Sequence, residues 1–424
     1  MEGSNEPAND IENPLEALIM EDLDNLSALS PFRCIYRVPE RLRHGNEKSY
    51  TPQVVSIGPL HHGKSHLNAM EKHKKRYLRD FLGRTQVSLN NYLSQIKGQE
   101  AKLRSYYAES IEFLSDKFVT IILVDAAFII ELLLRYGFPA FQDGNEYIFN
   151  EPWMIYDILP DLRMLENQLP FFILEDLFDP HKIFASTDDH PSIINLSYHF
   201  FRSSIYSEGI DEDLETRYFA EVEVQHFVDF IRTLCQPLDL KRGKLVIAPS
   251  ITDLHRAGVK FRVGSTKNLF DIRFTDGVLE IPEIQIHDDT ELIIRNLIAF
   301  EQCHCRNKYI SDYSYIMDCF VNTKKDVAFL VKHGIVKHEL GDSSRVSTLI
   351  NKLGDGVVVD PRNFYFASIC EDLNAYYGTT WHTWKANLRQ NYLNTPWTII
   401  SVVAAVLLLL LTLIQTASSI ISIA

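Results

Sequence analysis

Apolar positions recur at helical spacing along most of the chain and switch to a period of two in one short region. Leu67, Met70, Tyr77, Leu78, Phe81 and Leu82 predict an amphipathic helix, with its charges on the other face. The stretch 118–136, FVTIILVDAAFIIELLLRY, is nearly all apolar but contains Asp125 and Glu131. A mid-membrane Asp costs roughly 2.5–3.5 kcal/mol, so this run predicts a central core helix, stopped by Gly137 and Pro139. DILPDLRMLENQLPFFILEDLFDP reads as two short helices started by Pro160 and Pro170. Between their apolar runs, Glu166, Asn167 and Gln168 are expected to make buried structural hydrogen bonds rather than perform catalysis. Ser250 and Asp253 form a capping box for a helix that Gly258 ends. VKFRV, LFDIRF, GVLEI and EIQI then read as strands, with Asp276-Gly277 as a hairpin turn. The expected fold class is mainly α with a small antiparallel β element (α+β), plus a single C-terminal transmembrane helix.

That last element rests on NTPWTIISVVAAVLLLLLTLIQTASSIISIA, which has no charged residue. About 20 helical residues cross a bilayer core, and 397–420 supplies that length. Trp397, Ile399, Val402, Val406, Leu410 and Ile414 are the expected anchor, with the lipid bilayer as partner through 397–420. Trp384, Lys385, Arg389 and Tyr392 suit the headgroup interface. Basic residues precede the run and none follows it. This predicts a tail-anchored, single-pass protein of the plasma membrane or an endomembrane, with its N-terminal domain cytosolic. Ser401 and Ala405 give a weak small-xxx-small pair for oligomerisation. Three parts follow: an acidic disordered tail at 1–30, a helical globular domain at 31–389 with a lobe boundary at 203–219, and an anchor at 390–424.

Charge refines this division. The 424-residue chain carries a net charge of −14, which argues against a whole-chain nucleic-acid binder. Residues 1–30 hold eight acidic residues and no Lys or Arg. Residues 31–84 hold twelve Lys or Arg against four Asp or Glu. The six cysteines are too sparse for a disulfide scaffold, and the N-terminus lacks the basic start and apolar run of a secretory signal.

The candidate chemistry lies in the basic segment. GPLHHGKSH places His61, His62, Gly63 and Lys64 ahead of a helix, where they could hold an anion or phosphate. A structural turn is the competing reading, because the Walker spacing is absent. In EKHKKRYLRDF the basic residues Lys72, Lys74, Lys75, Arg76 and Arg79 circle a helix, and a solvated face is expected for them. Cys303-His304-Cys305 does not match a zinc spacing, so no metal is expected there. No catalytic motif is found, and no cofactor is expected.

Four blocks carry a resemblance: 55–82 (VSIGPLHHGKSHLNAMEKHKKRYLRDFL), 164–178 (MLENQLPFFILEDLF), 281–303 (IPEIQIHDDTELIIRNLIAFEQC) and 376–416. With them the chain resembles the plant family called domain of unknown function 247. The resemblance implies a plant-restricted, mostly helical protein with a C-terminal membrane helix and no established enzymatic activity. Some grass members of that family are associated with self-incompatibility recognition. The stretches near 139–150 and 203–219 would then be recognition surfaces. The expected function is a non-enzymatic, membrane-anchored recognition or interaction protein with an unknown protein partner. The alternative is a membrane-bound enzyme, or a binder of an anionic or phosphorylated small molecule, using the His61–Lys64 turn.

Overall fold

The computed structural model describes residues 14–24, 30–144, 147–184, 190–202, 223–237, 242–379 and 396–423. Its architecture is mainly helical with two small sheets. The helices that matter here are α1 (Pro14–Asp24), α2 (Asn68–Thr85), α3 (Ser115–Gly137), α4 (Tyr147–Asn150), α5 (Pro152–Asp161), α6 (Phe171–Leu177), α7 (Phe227–Leu234), α8 (Thr290–Cys303) and α9 (Pro396–Ile423).

Helix α3 is the central element. Its side chains from Phe118 to Arg135 are buried, apart from Thr120. Helix α2 packs along it through Met70, Tyr77 and Phe81. The two acids inside the apolar run are buried and paired, as a soluble core requires. Asp125 meets Lys74, while Glu131 accepts from Arg84 Nε at 2.8 Å and Arg135 Nε at 3.2 Å. Lys74 therefore departs from the expected solvated face: it is fully buried on the stripe that packs against α3. Lys72, Lys75, Arg76 and Arg79 are exposed.

Three sequence expectations change. Residues Pro14–Asp24 of the acidic tail form helix α1. Pro160 lies near the end of α5, which begins at Pro152, so it starts no helix. The β region is mixed rather than antiparallel. Strands β1 (Lys260–Val263) and β3 (Val278–Ile281) run parallel, and β2 (Arg273–Thr275) joins β3 as the expected hairpin. Asp276 and Gly277 supply the two positive φ angles, 50° and 75°, that such a turn demands. Strand β4 (Ile284–Ile286) pairs in parallel with β5 (Val336–His338), a strand the pattern did not predict.

The third correction concerns the C-terminal transmembrane helix. Among the described residues, no helix is long and apolar enough to cross a membrane. Val406, Leu410 and Ile414 are exposed on α9. The side chains of Trp397, Ile399 and Val402 lie outside the described residues. So do Trp384, Lys385, Arg389, Tyr392 and the lobe boundary expected at 203–219.

Candidate functional site

The candidate turn is built on a backbone that side chains from elsewhere hold in place. Residues 53–58 pair with no strand, so their peptide groups need other partners. Asp161, at the end of α5, accepts from the N–H groups of Gln53, Val54 and Val55 at 2.9, 2.7 and 2.8 Å. Burial pushes its carboxyl up to about 6 despite those three bonds. Asn167 accepts from Ile57 N at 2.7 Å and donates to Val55 O at 3.0 Å. Asp125 accepts from Gly58 N at 2.8 Å, and Lys74 Nζ donates to Ser56 O at 2.8 Å. Gln168 ties the same region to α7 by accepting from Phe227 N at 2.9 Å. The LENQL segment is thus a template for the backbone, which is the structural role its position suggested.

Beyond Gly58 the chain turns through His61, His62, Gly63 and Lys64 into α2, and Gly63 sits at φ +86°. His61 is buried, and its Nε2 lies 3.0 Å from Glu166 Oε2. A carboxylate can only accept, so Nε2 carries the proton and donates. The other ring nitrogen, Nδ1, is buried without a partner. Burial lowers the His61 pKa, against the opposing pull of Glu166, so the ring is neutral at pH 7.

Glu166 is the centre of this cluster. It accepts from Val38 N at 2.7 Å, from His61 and from Arg43, with Arg37 Nη1 at 3.5 Å. Burial alone would raise its carboxyl. The hydrogen bonds from His61 and Val38, with the charge of Arg43, outweigh burial and hold it below the ordinary glutamate range. Lys64 is half-buried nearby, and burial lowers its pKa while Glu166 raises it. Arg37, Arg43, His61 and Lys64 therefore surround one carboxylate that the protein itself supplies. The carboxylate that faces His61 in this turn is the protein's own Glu166.

His62 points away from that cluster. Its ring meets Phe113 edge-on at 5.8 Å, and its Nδ1 is buried without a partner. Burial and then Lys117 lower its pKa, with Lys74 and Lys75 adding to the effect. Sequence reasoning placed both histidines in one site, but the fold separates them. It also missed Glu166 as the partner of His61, and Arg37 and Arg43 as further partners of Glu166. Nothing in local spacing links residues more than a hundred positions apart.

At 303–305, His304 Nδ1 lies 3.2 Å from the Tyr36 hydroxyl and the ring stacks on Phe300. Burial pushes the Cys303 thiol up to about 11 and that of Cys305 to about 12. Among the described residues, no group of three or more His, Cys, Asp or Glu side chains could hold a metal ion.

Fold and site together define a helical scaffold whose buried polar motifs hold its own backbone. The chain belongs to the family of domain of unknown function 247, a plant protein of unknown function, whose pattern matches residues 35–411. It is similar to UPF0481 protein At3g47200 of Arabidopsis thaliana, with 29% identity over 92% of this chain and 86% of that protein. A putative UPF0481 protein of the same plant, At3g02645, is 25% identical over 90% of this chain and 89% of its own length. No solved structure matches the chain.

Proposed function

We propose that this protein is a non-catalytic interaction module serving recognition or signalling in plants. One observation supports this reading above others: the buried His61 spends its Nε2 on the protein's own Glu166, which Arg43 also holds. A buried histidine bonded to a glutamate that also holds an arginine is a satisfied polar network that orders the structure around it. The test is thermal unfolding of the full chain with inorganic phosphate and a panel of phosphate esters. No shift in midpoint is expected. A phosphate-dependent rise that disappears in His62→Ala would overturn the proposal.

A second reading draws on the outer side of the turn. The partnerless His62 Nδ1 lies in a field to which Lys117, Lys74 and Lys75 contribute against Glu71, which suits a small anion. The same titration decides it, since this reading requires the rise that the first forbids.

A further inference from the structure

The solvent pole of α2 is basic. Lys72, Lys75, Arg76 and Arg79 are exposed at i, i+3, i+4 and i+7, opposite the buried Met70, Tyr77 and Phe81. The remaining charges of the helix pair on its flanks and inner side. Lys74 meets Glu71 and Asp125, Arg84 meets Glu131, and Asp80 pairs with Arg79 and Arg135. With all these partners counted, seven bases stand against four acids, and the surplus lies on the pole. Among the described residues, Lys72, Lys75 and Arg76 enter no ion pair. The packing of α2 on α3 holds this row of cations on a rigid helix.

A complementary face lies on α5. Residues 137–161 contain five acidic residues and no Lys, Arg or His. While Met154 and Ile158 of α5 are buried, Trp153 and Tyr156 are 52% and 72% exposed, one turn apart on its outer side. Glu151 and Asp157 are exposed with them. The indole is held in place, because Trp153 Nε1 donates to Glu151 Oε2 at 3.2 Å. An ordered Trp and Tyr flanked by carboxylates form a seat for guanidinium and ammonium groups, by cation–π attraction and ion pairing together. Among the described residues, no cation of the same chain lies over either ring. The basic and acidic faces adjoin. Tyr147, at the start of α4, stacks on His73 at 4.5 Å, and α4 runs through Glu151 into α5.

We propose that the basic pole of α2 in one copy of this chain docks on the acidic aromatic face of α5 in a second copy, with Arg76 and Arg79 seated against Trp153 and Tyr156. Both halves of the contact are carried by the same chain, in the residue types that dominate binding at protein interfaces. Because the halves adjoin at the Tyr147–His73 stack, two copies make the contact in both directions and form a closed pair. The inference deepens the interaction-module reading and rests on it.

Charge reversal of the full chain tests this by sedimentation equilibrium. One variant is Lys72→Glu/Arg76→Glu, the second is Glu151→Lys/Asp157→Lys, and the third is Trp153→Ala/Tyr156→Ala. All altered positions are exposed, and thermal melts matching the unaltered protein establish that each variant folds. A charge-reversed pair that melts early is replaced by its single member, Arg76→Glu or Asp157→Lys. The unaltered chain is expected to dimerise, with an association constant several-fold lower at about 300 mM than at about 50 mM salt. Each variant alone is expected to associate at least about tenfold more weakly. An equimolar mixture of the two charge-reversed variants regains association, since opposite charges then meet at both contacts. A monomeric unaltered chain, undiminished association of any variant, or no recovery in the mixture would overturn the proposal. Those failures leave the phosphate titration unmoved, so they are distinguishable from failure of the interaction-module reading itself.

Discussion

Lys74 Nζ stands 2.6 Å from Asp125 Oδ1, and both side chains are withdrawn from solvent. The pair joins α2 to α3 and also fixes the turn, because Lys74 holds Ser56 O and Asp125 holds Gly58 N. Lys74→Ala leaves a buried carboxylate without its cation and is expected to cost about 3–5 kcal/mol. Removing both charges with Lys74→Met/Asp125→Leu is expected to cost less than the single change. It will not be neutral, because Gly58 N then also loses its partner, at about 1–3 kcal/mol, while the loss at Ser56 O is common to both variants. Urea denaturation of the three proteins checks the ranking. A double variant less stable than Lys74→Ala would show that the pair is not the controlling interaction.

The two glycines of GPLHHGK separate backbone strain from crowding. Both have positive φ, +71° at Gly58 and +86° at Gly63. A Cβ on Gly63 would meet nothing within 4 Å, whereas one on Gly58 would lie 2.5 Å from Gln168 O. Gly63→Ala is therefore expected to cost about 1–2 kcal/mol, the left-handed penalty alone. Gly58→Ala adds a clash with backbone and weakens the bond to Asp125, for about 3–5 kcal/mol in total. Equal denaturation midpoints for the two variants would contradict this account.

Sequence reasoning reached the parts of this fold that local pattern encodes. The run at 118–136 announced a core helix because its two acids forbid a membrane span at low cost. Asp276-Gly277 announced a hairpin because few other pairs tolerate two positive φ angles. Lys74 was illegible, since a lysine among lysines carries no mark of the carboxylate that α3 brings to it. The parallel pairing of β1 with β3 was hidden because a hairpin turn specifies only its two flanking strands. Strand β5 is three residues long, too short for a period to register. At the candidate site, the glycines and histidines marked a turn correctly. The identity of its anion depended on Glu166, whose approach to His61 is set by tertiary packing.

Glu166→Gln tests that approach. The amide keeps the shape of the side chain but carries no charge for Arg43, and one end now donates where only acceptance fits. A loss of about 2–3 kcal/mol is expected, together with faster hydrogen exchange at Val38. Because the folded carboxyl titrates below its unfolded value, its contribution is fully present above the unfolded pKa near 4.5 and is lost as pH falls through the folded pKa. The stability gap between the unaltered protein and the Glu166→Gln variant should therefore narrow as pH falls below about 4.5. A gap that is constant with pH would mean that the carboxylate charge contributes nothing.

His226 predicts acid sensitivity of the same sign in a higher pH window. Its ring is fully buried, accepts from Asp229 N at Nδ1 and donates from Nε2 to Cys34 O at 3.2 Å. Burial lowers its pKa to about 3, with His304 adding a smaller push in the same direction and the bond to Cys34 opposing it. The unfolded chain takes up a proton at this residue near pH 6.5, while the folded chain does not until about 3. Between those values the unfolded state binds more protons, so stability rises with pH across the window and falls on acidification. The slope from this one group approaches about 1.4 kcal/mol per pH unit. In His226→Asn the cap acceptor for Asp229 N is retained but the titrating group is gone. The variant is expected to be less stable at pH 7 through lost packing against Phe300, and to close that gap steadily from pH 6 to pH 4. Urea midpoints of both proteins at half-unit intervals measure the difference. Parallel curves would show that His226 titrates alike in the folded and unfolded chains, so that its burial does not set its charge.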